Sequence, residues 1–475
     1  MFAIRWLAAG LVLFAGLSPS SAASQANTDG RNAPDREFQS ALAHYNSKQY
    51  AAAQQELESL AKALPNSFEV QELLGLVYSA EGEDGKATTP FEQAVRLRPK
   101  SGEARINLGT NLVRRGKMAP AETEFKEGVA LEPGSFDANR DLGSFYLRAG
   151  RIAAAIPWLE KAQIVNPGSY DNGYDLALAD EELGRLPEAR QQIQELLQRK
   201  DTAELHNLLA EVEEKAGNYV LAANEYEKAA HLDPSESNLF DWGSELMAHQ
   251  TSNPASKIFS EGLKRYPDSS RLAIGLGLAL YLRGRYDEAV QSLLKGVSLD
   301  PSDARAYYFL SKAYEQAPGL ADQVVEAFRR YAELRAHDAL ATYYYAISLW
   351  KGRRTETSPA YLKQVESQLK KAIALDPSLP DPHLQLANLY SQRREYAQAV
   401  PEYQQAIKLS PKIPDAHFRL GQAYVHLGKQ ELAEKEFQLH KELYAQHLAE
   451  VDNQRSEILQ FVYSMKEERK TEKGN

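Results

Sequence analysis

The sequence predicts an all-α protein, a solenoid of about twelve helical hairpins finished by a C-terminal capping helix. Three observations carry this expectation. Prolines recur in step, with Pro65, Pro99, Pro133 and Pro167 each 34 residues apart and Pro234, Pro267, Pro301, Pro377 and Pro411 continuing with small slips. Small and large apolar residues recur at fixed offsets within each period. The chain is also rich in Ala, Leu, Glu, Gln, Lys and Arg, which favour helix.

Each proline is preceded five residues earlier by a small or modest residue, such as Ala94, Gly128, Ala162, Ala229, Gly262 or Gly296. Three residues before that stands a large apolar one, such as Phe91, Phe125, Leu159, Tyr226, Phe259 or Leu293, and four further back an Ala, such as Ala87, Ala121, Ala155, Ala222, Ala255 or Ala289. Steps of three and four place these residues on one face of a helix, here helix B of each unit. The proline closes it, because it lacks a backbone donor and disfavours helical geometry in the residue before it. Twelve residues upstream of the Ala a second small residue recurs, as in Leu74-Gly75, Leu108-Gly109, Leu142-Gly143, Leu276-Gly277 and Leu420-Gly421. It marks helix A, and turns such as Arg283-Gly284-Arg285 separate A from B. Gly inside a helix costs about 1 kcal/mol against Ala, so its recurrence at one register points to close packing, read here as small residue facing small residue across the hairpin.

Small residue, aromatic three later in helix A, then Ala, aromatic, small residue and proline through helix B: this pattern resembles the tetratricopeptide repeat. Register residues fall at Ala41, Gly75, Gly109, Gly143, Ala177, Ala210, Gly243, Gly277, Ser311, Ala346, Ala387 and Gly421, giving twelve units. The resemblance implies a right-handed superhelix with A helices lining a groove that holds a protein or peptide. The spacing swells between Ala346 and Ala387, and the surplus Lys351–Ala360 reads as a loop insertion between helices A and B.

Outside the repeats, residues 1–23 look like a secretory signal peptide: Arg5, an apolar run Leu7 to Leu17, then small residues with cleavage near Ala23. Residues 24–36 read as a flexible linker, 37–445 as the solenoid and 446–475 as the capping helix and a frayed tail, the added helix running from Lys441 to about Met465. Export to the periplasm or the exterior follows, with no stable membrane span after cleavage; the alternative is a segment retained as a membrane anchor, for which the apolar run is short against the usual span of about 20 residues. The oligomeric state is open.

The net charge of -10 argues against a nucleic-acid partner, which would require exposed Lys/Arg patches. With no cysteine, disulfides, thiolate metal sites and cysteine nucleophiles are excluded. The ten histidines show no metal-ligand spacing, Gly275-Leu276-Gly277 lacks the third glycine of a dinucleotide loop, and no nucleophile motif is present. The expectation is therefore a non-catalytic chain without metal or cofactor.

The resemblance places side chains three before and four after each register residue in the groove. Its most aromatic stretch holds Phe240, Tyr281, Tyr308, Tyr343 and Trp350, the candidate partner-binding residues, because aromatic side chains dominate interface hot spots. The N-terminal half instead presents Glu69, Glu72, Glu103, Asp137, Asp171, Glu181 and Glu182, a pattern favouring a basic segment. The family's carboxylate clamp is not reproduced, since the matching places hold Ile106 with Thr110, Arg140 with Ser144 and Leu384 with Asn388. The expected function is a protein-interaction scaffold in envelope or secretory processes. The alternative is binding of carbohydrate or cell-wall fragments by stacking on the aromatic groove.

Overall fold

Every one of the twelve register residues lies on the first helix of a hairpin, so the period read from the sequence is the period of the structure. The computed structural model describes residues 32–352 and 358–447. The leader-like segment 1–23, residues 24–31 of the expected linker and the cap beyond His447 lie outside them. Among the described residues there are 24 α-helices, which fall into two compact units, the first ending at Gly217 and the second starting at Asn218.

The first unit carries α1 (Asn32–Asn46), α2 (Tyr50–Ala63), α3 (Phe68–Ala80), α4 (Asp84–Leu97), α5 (Gly102–Arg114) and α6 (Met118–Leu131). It continues with α7 (Phe136–Arg148), α8 (Ile152–Val165), α9 (Tyr170–Glu182), α10 (Leu186–Leu197) and α11 (Ala203–Lys215). The second unit carries α12 (Tyr219–Leu232), α13 (Glu236–Ala248), α14 (Ser252–Arg265), α15 (Ser270–Leu282), α16 (Tyr286–Leu299) and α17 (Ala304–Ala313). It ends with α18 (Ala321–Leu334), α19 (Ala339–Gly352), α20 (Pro359–Leu375), α21 (Pro380–Gln392), α22 (Tyr396–Leu409), α23 (Pro414–His426) and α24 (Gln430–His447).

The hairpin is built by local chemistry at both of its ends. Where a B helix ends at a proline, the residue before it is the cap, and its N–H returns to the residue four back, as Glu132 to the Gly128 carbonyl (3.0 Å) and Asp300 to that of Gly296 (2.9 Å); α10 and α18 end without one. One or two residues after six of these nine prolines comes a Ser that accepts from the first turn of the next A helix. Ser101 takes the N–H of Ala104 (3.2 Å), Ser135 that of Ala138 (3.2 Å) and Ser269 that of Leu272 (3.2 Å). Proline thus stops one helix while the serine behind it starts another. The A-to-B turn needs one left-handed residue, supplied by glycine at Gly150 (φ 68) and Gly284 (φ 71), while Lys48, Gln250 and Arg394 take the same conformation without one.

The packing differs from the expected small-on-small contact. A Cβ added at Gly75 would lie 2.6 Å from the Phe91 ring, at Gly143 2.6 Å from Leu159, at Gly243 2.6 Å from Phe259 and at Gly421 2.7 Å from Phe437. The small residue of helix A is therefore a hole for the large residue of helix B. The small residue of helix B is a second hole, filled by helix A: Ile106 occupies the space at Gly128 and Ile274 that at Gly296.

Three departures from the expected boundaries have local causes. Helix α1 already covers residues 32–36 of the expected linker, whose Pro34 and Asp35 suit a helix's first turn. No separate cap begins at Lys441, because α24 runs unbroken to His447. In the Ser311 unit α17 stops at Ala313 and two 3-10 turns, Tyr314–Gln316 and Pro318–Leu320, replace its last turn where Pro318 and Gly319 interrupt the helix. At the insertion, α20 begins with Pro359 and holds 17 residues against 14 in most B helices. Tyr361, near its start, donates its hydroxyl to the Leu349 carbonyl.

Candidate partner-binding site

Neighbouring A helices touch side by side within each unit, so the chemistry they present is shared between repeats. In the first unit Asn107 of α5 donates to Glu72 of α3 (2.5 Å), and Arg140 of α7 pairs with Asp171 of α9 (3.8 Å). In the second, Trp350 of α19 donates its indole N–H to Gln392 of α21 (3.1 Å).

The five sequence-predicted aromatics do not form one patch. Phe240 is a correction: it is 1 % exposed, packed on Phe259 with ring centroids 6.0 Å apart. The cause is the register itself. A residue three before the small contact residue lies one turn back on the same helix face, so an apolar one packs on helix B, as Ile106 and Ile274 do. Tyr281 and Tyr308 are half-buried against the core of α13–α18, Tyr281 edge-on to Tyr286 (5.7 Å) and Tyr308 edge-on to Phe309 (5.1 Å) beneath the Lys312 ammonium (5.2 Å). Tyr343 and Trp350 are half-buried against the core that α19–α24 build. Burial holds the Tyr343 hydroxyl well above its ordinary range, with the charge of Asp381 adding to it.

Of the five, Trp350 alone lines the cavity the second unit forms on its A helices. This cavity is about 540 Å³, with Gln385, Asn388, Gln392, Gln422 and Arg419 among its other walls. Its floor is Tyr403 of α22, whose hydroxyl donates to the Asn388 amide oxygen (2.8 Å). Tyr396 and His426 stack at 4.2 Å along it, and Arg419 pairs with Asp415 (2.7 Å). Amide side chains that donate and accept, beside one Trp face and one ion pair, can hold a peptide main chain and a side chain. Sequence reasoning missed this amide row because it followed aromatics alone, although Gln385, Asn388 and Gln392 are visible as polar residues around the Ala387 register.

The first unit's A helices are acidic, as expected, with a different cast. Glu69 is paired with Arg98, Glu181 is buried beside Lys215 (2.7 Å), and Glu182 is exposed. Glu72 is 5 % exposed. Burial pushes its carboxyl up to about 7 against the Asn107 hydrogen bond, and Glu103 adds like charge. Two carboxylates the aromatic and three-before rule passed over sit two before the register: Asp141 and Asp175. Burial raises Asp141 to about 7 and Asp175 to about 6, Arg140 opposing in both cases, with Asp137 and Asp171 respectively adding like charge. The sequence signal was the Asp at the same place in two successive repeats.

Among the described residues no group of three His, Cys, Asp or Glu is placed to hold a metal ion, and no helix is long and apolar enough to cross a membrane. Of the buried histidines, His383 and His417 are paired within their hairpins, to Glu402 (2.6 Å) and Glu436 (2.7 Å), and His206 is paired with Asp201 (2.7 Å).

Tetratricopeptide repeat profiles match residues 38–102, 106–170 and 384–447, a second matches 146–212, and a TPR repeat profile matches 277–317. Together they span more than half of the chain. This chain belongs to the tetratricopeptide repeat family. As a TPR protein it is an interaction scaffold with protein partners. No curated protein sequence matches it. Among solved structures, this TPR protein is similar to the Naa15/Naa10 complex bound to HypK-THB, at 18% identity over 86% of this chain and 68% of that one, with a TM-score of 0.37. It is also similar to Pseudomonas aeruginosa pilF, at 19% identity over 43% of this chain and 94% of that one (TM-score 0.38). The third is PilW, a widely conserved type IV pilus biogenesis factor, at 21% identity over 42% and 94% (TM-score 0.38). TM-scores below 0.5 leave these likenesses without bearing on what the TPR protein binds.

Proposed function

We propose that the protein is a non-catalytic scaffold of an exported or envelope compartment that holds an extended peptide segment of a protein partner on its A helices. The observation that supports this most is a cavity of the second unit, where Gln385, Asn388, Gln392, Gln422 and Trp350 are among the residues lining a space of about 540 Å³. Main-chain amides of an extended peptide are matched by amide side chains, and a Trp face gives a peptide side chain a large contact at low entropic cost. The leader-like residues 1–23 support the exported location.

The test is a photo-crosslinker at Gln422, exposed on α23, in cells expressing the full chain. A protein adduct whose crosslinked segment sequences as one stretch of a partner, and which is lost in Trp350→Ala while helicity is unchanged, is the expected result. Adducts absent in both, with binding on a glycan array that Trp350→Ala abolishes, would replace the peptide by a carbohydrate ligand, since stacked aromatics beside amides also suit sugars.

A further inference from the structure

We infer that the A-helix face of the first unit is a separate docking site for a basic, Lys/Arg-rich segment of a partner protein, received along α3, α5, α7 and α9. The inference rests on the scaffold reading only in taking the partner to be a protein. It uses none of the residues of the second unit's cavity.

The decisive side chain is Asp175. It is 8 % exposed, yet its carboxylate has no hydrogen bond or ion pair, and its oxygens are not sealed from solvent. A buried carboxylate without a partner is costly, and a cation arriving at its open side removes that cost. Its surroundings repeat the situation. Half-buried Asp141 and exposed Glu103 likewise have no ion-pair partner, Asp137 lies beside both, and Glu72 at the far end keeps one oxygen, Oε2, unbonded but sealed from solvent, so it adds negative field and not a contact. Against this row stands Arg140, paired with Asp171 at 3.8 Å and acting on Asp141 and Asp175 only as a nearby charge. The carboxylates are distributed over four helices and do not converge, which suits a string of cations and not a single metal ion. At a helix spacing of about 10 Å the row is roughly 30 Å long, the reach of about nine extended residues.

Proton linkage supports the same occupant. Burial holds Glu72 and Asp141 up at about 7 and Asp175 at about 6. The groups facing them are Asn107 and Glu103 for Glu72, Arg140 and Asp137 for Asp141, and Arg140 and Asp171 for Asp175. A bound cation favours the ionised forms, so binding near neutrality must release protons, and affinity must fall as pH drops toward 5.

The experiment uses the full chain and a fluorescent, alternating Lys-Ser peptide of about twelve residues, with calcium alone as the competing cation. Variant Asp141→Asn/Asp175→Asn is compared with Glu92→Gln/Glu195→Gln, which likewise removes two carboxyls, from exposed places on α4 and α10. Expected are at least a tenfold loss of affinity in the first variant, little change in the second, and proton release on binding at pH 7 seen by calorimetry in two buffers. Equal losses in both variants would reduce the attraction to net charge and overturn the inference. So would calcium saturating the wild type and displacing the peptide, or no binding by the wild type at all. In each such case a persisting crosslink at Gln422 leaves the scaffold reading standing, while loss of that crosslink alone condemns the scaffold reading without touching this one.

Discussion

The two units share one backbone solution and differ in what they spread over it. In the first, the face shared by α3, α5, α7 and α9 carries buried carboxylates with little to balance them; in the second, α19, α21 and α23 carry amides, a Trp and a closed Arg419–Asp415 pair. The holes and knobs beneath are the same: Phe91 fills the space at Gly75 in the first, Phe259 that at Gly243 in the second. Fold and recognition are thus written at different positions of one repeat, which lets one vary without the other.

The largest expected effect tests the shared part. Phe91→Ala and Phe259→Ala each empty a buried site, Phe91 seated on Gly75 and Phe259 on Gly243 and Gly275. Each should cost about 3–5 kcal/mol in urea unfolding, and the two costs should be alike. A near-silent Phe259→Ala would show that the second unit is not held by the same knob. Ala289, fully buried against Gly277 and its neighbours, gives the converse test. Ala289→Leu should cost about 1–3 kcal/mol by overpacking, and Gln291→Leu, exposed two residues away, should cost almost nothing.

The next effect isolates the difference. Glu72 has its folded-state carboxyl raised to about 7 from 4.5. A raised group contributes stability that is fully present below its unfolded value and is lost as pH rises through the folded one. Glu72→Gln keeps a partner for Asn107 and removes that loss, so it should stabilise the chain by about 2–3 kcal/mol at pH 8 and hardly at all at pH 4. Thermal unfolding at both pH values measures it. A gain of the same size at pH 4 would mean the carboxyl is not strained by burial.

Most of the fold was legible because close packing of backbones demands small residues, and small residues at a fixed period are visible without any coordinates. Gly75, Gly143 and Gly243 marked helix A, and the prolines marked the foot of helix B. The binding face was less legible for a geometric reason. Positions three before the register were assigned to the groove, but a helix turn returns them to the hairpin interface, so Phe240 is core while Glu72 at the equivalent place is a buried charge. Asp141 and Asp175, one position further on, escaped notice because a single Asp on a helix reads as solvated until its neighbours are known. The shortened α17 escaped because Pro318 and Gly319 lie where a turn was already expected.

The smallest effect concerns how the A helices start, where α21 and α23 part from the others, since α13 and α15 of the second unit are serine-capped as α7 is. In the first unit Ser135 accepts the Ala138 N–H at 3.2 Å, satisfying one of the orphan donors of α7. In the second, α21 and α23 have Leu379 and Ile413 at the cap, neither giving a side-chain bond, with Pro380 and Pro414 next, each removing one donor that would need a partner. Ser135→Ala should therefore cost about 1 kcal/mol and speed amide exchange in the first turn of α7. Ile413→Ser should return less than that, because Ile413 is half-buried against the core of the last hairpins and its apolar contact is given up in exchange. If Ser135→Ala leaves first-turn exchange unchanged, proline and packing alone set the helix starts in both units, and the serines that follow the prolines serve another purpose.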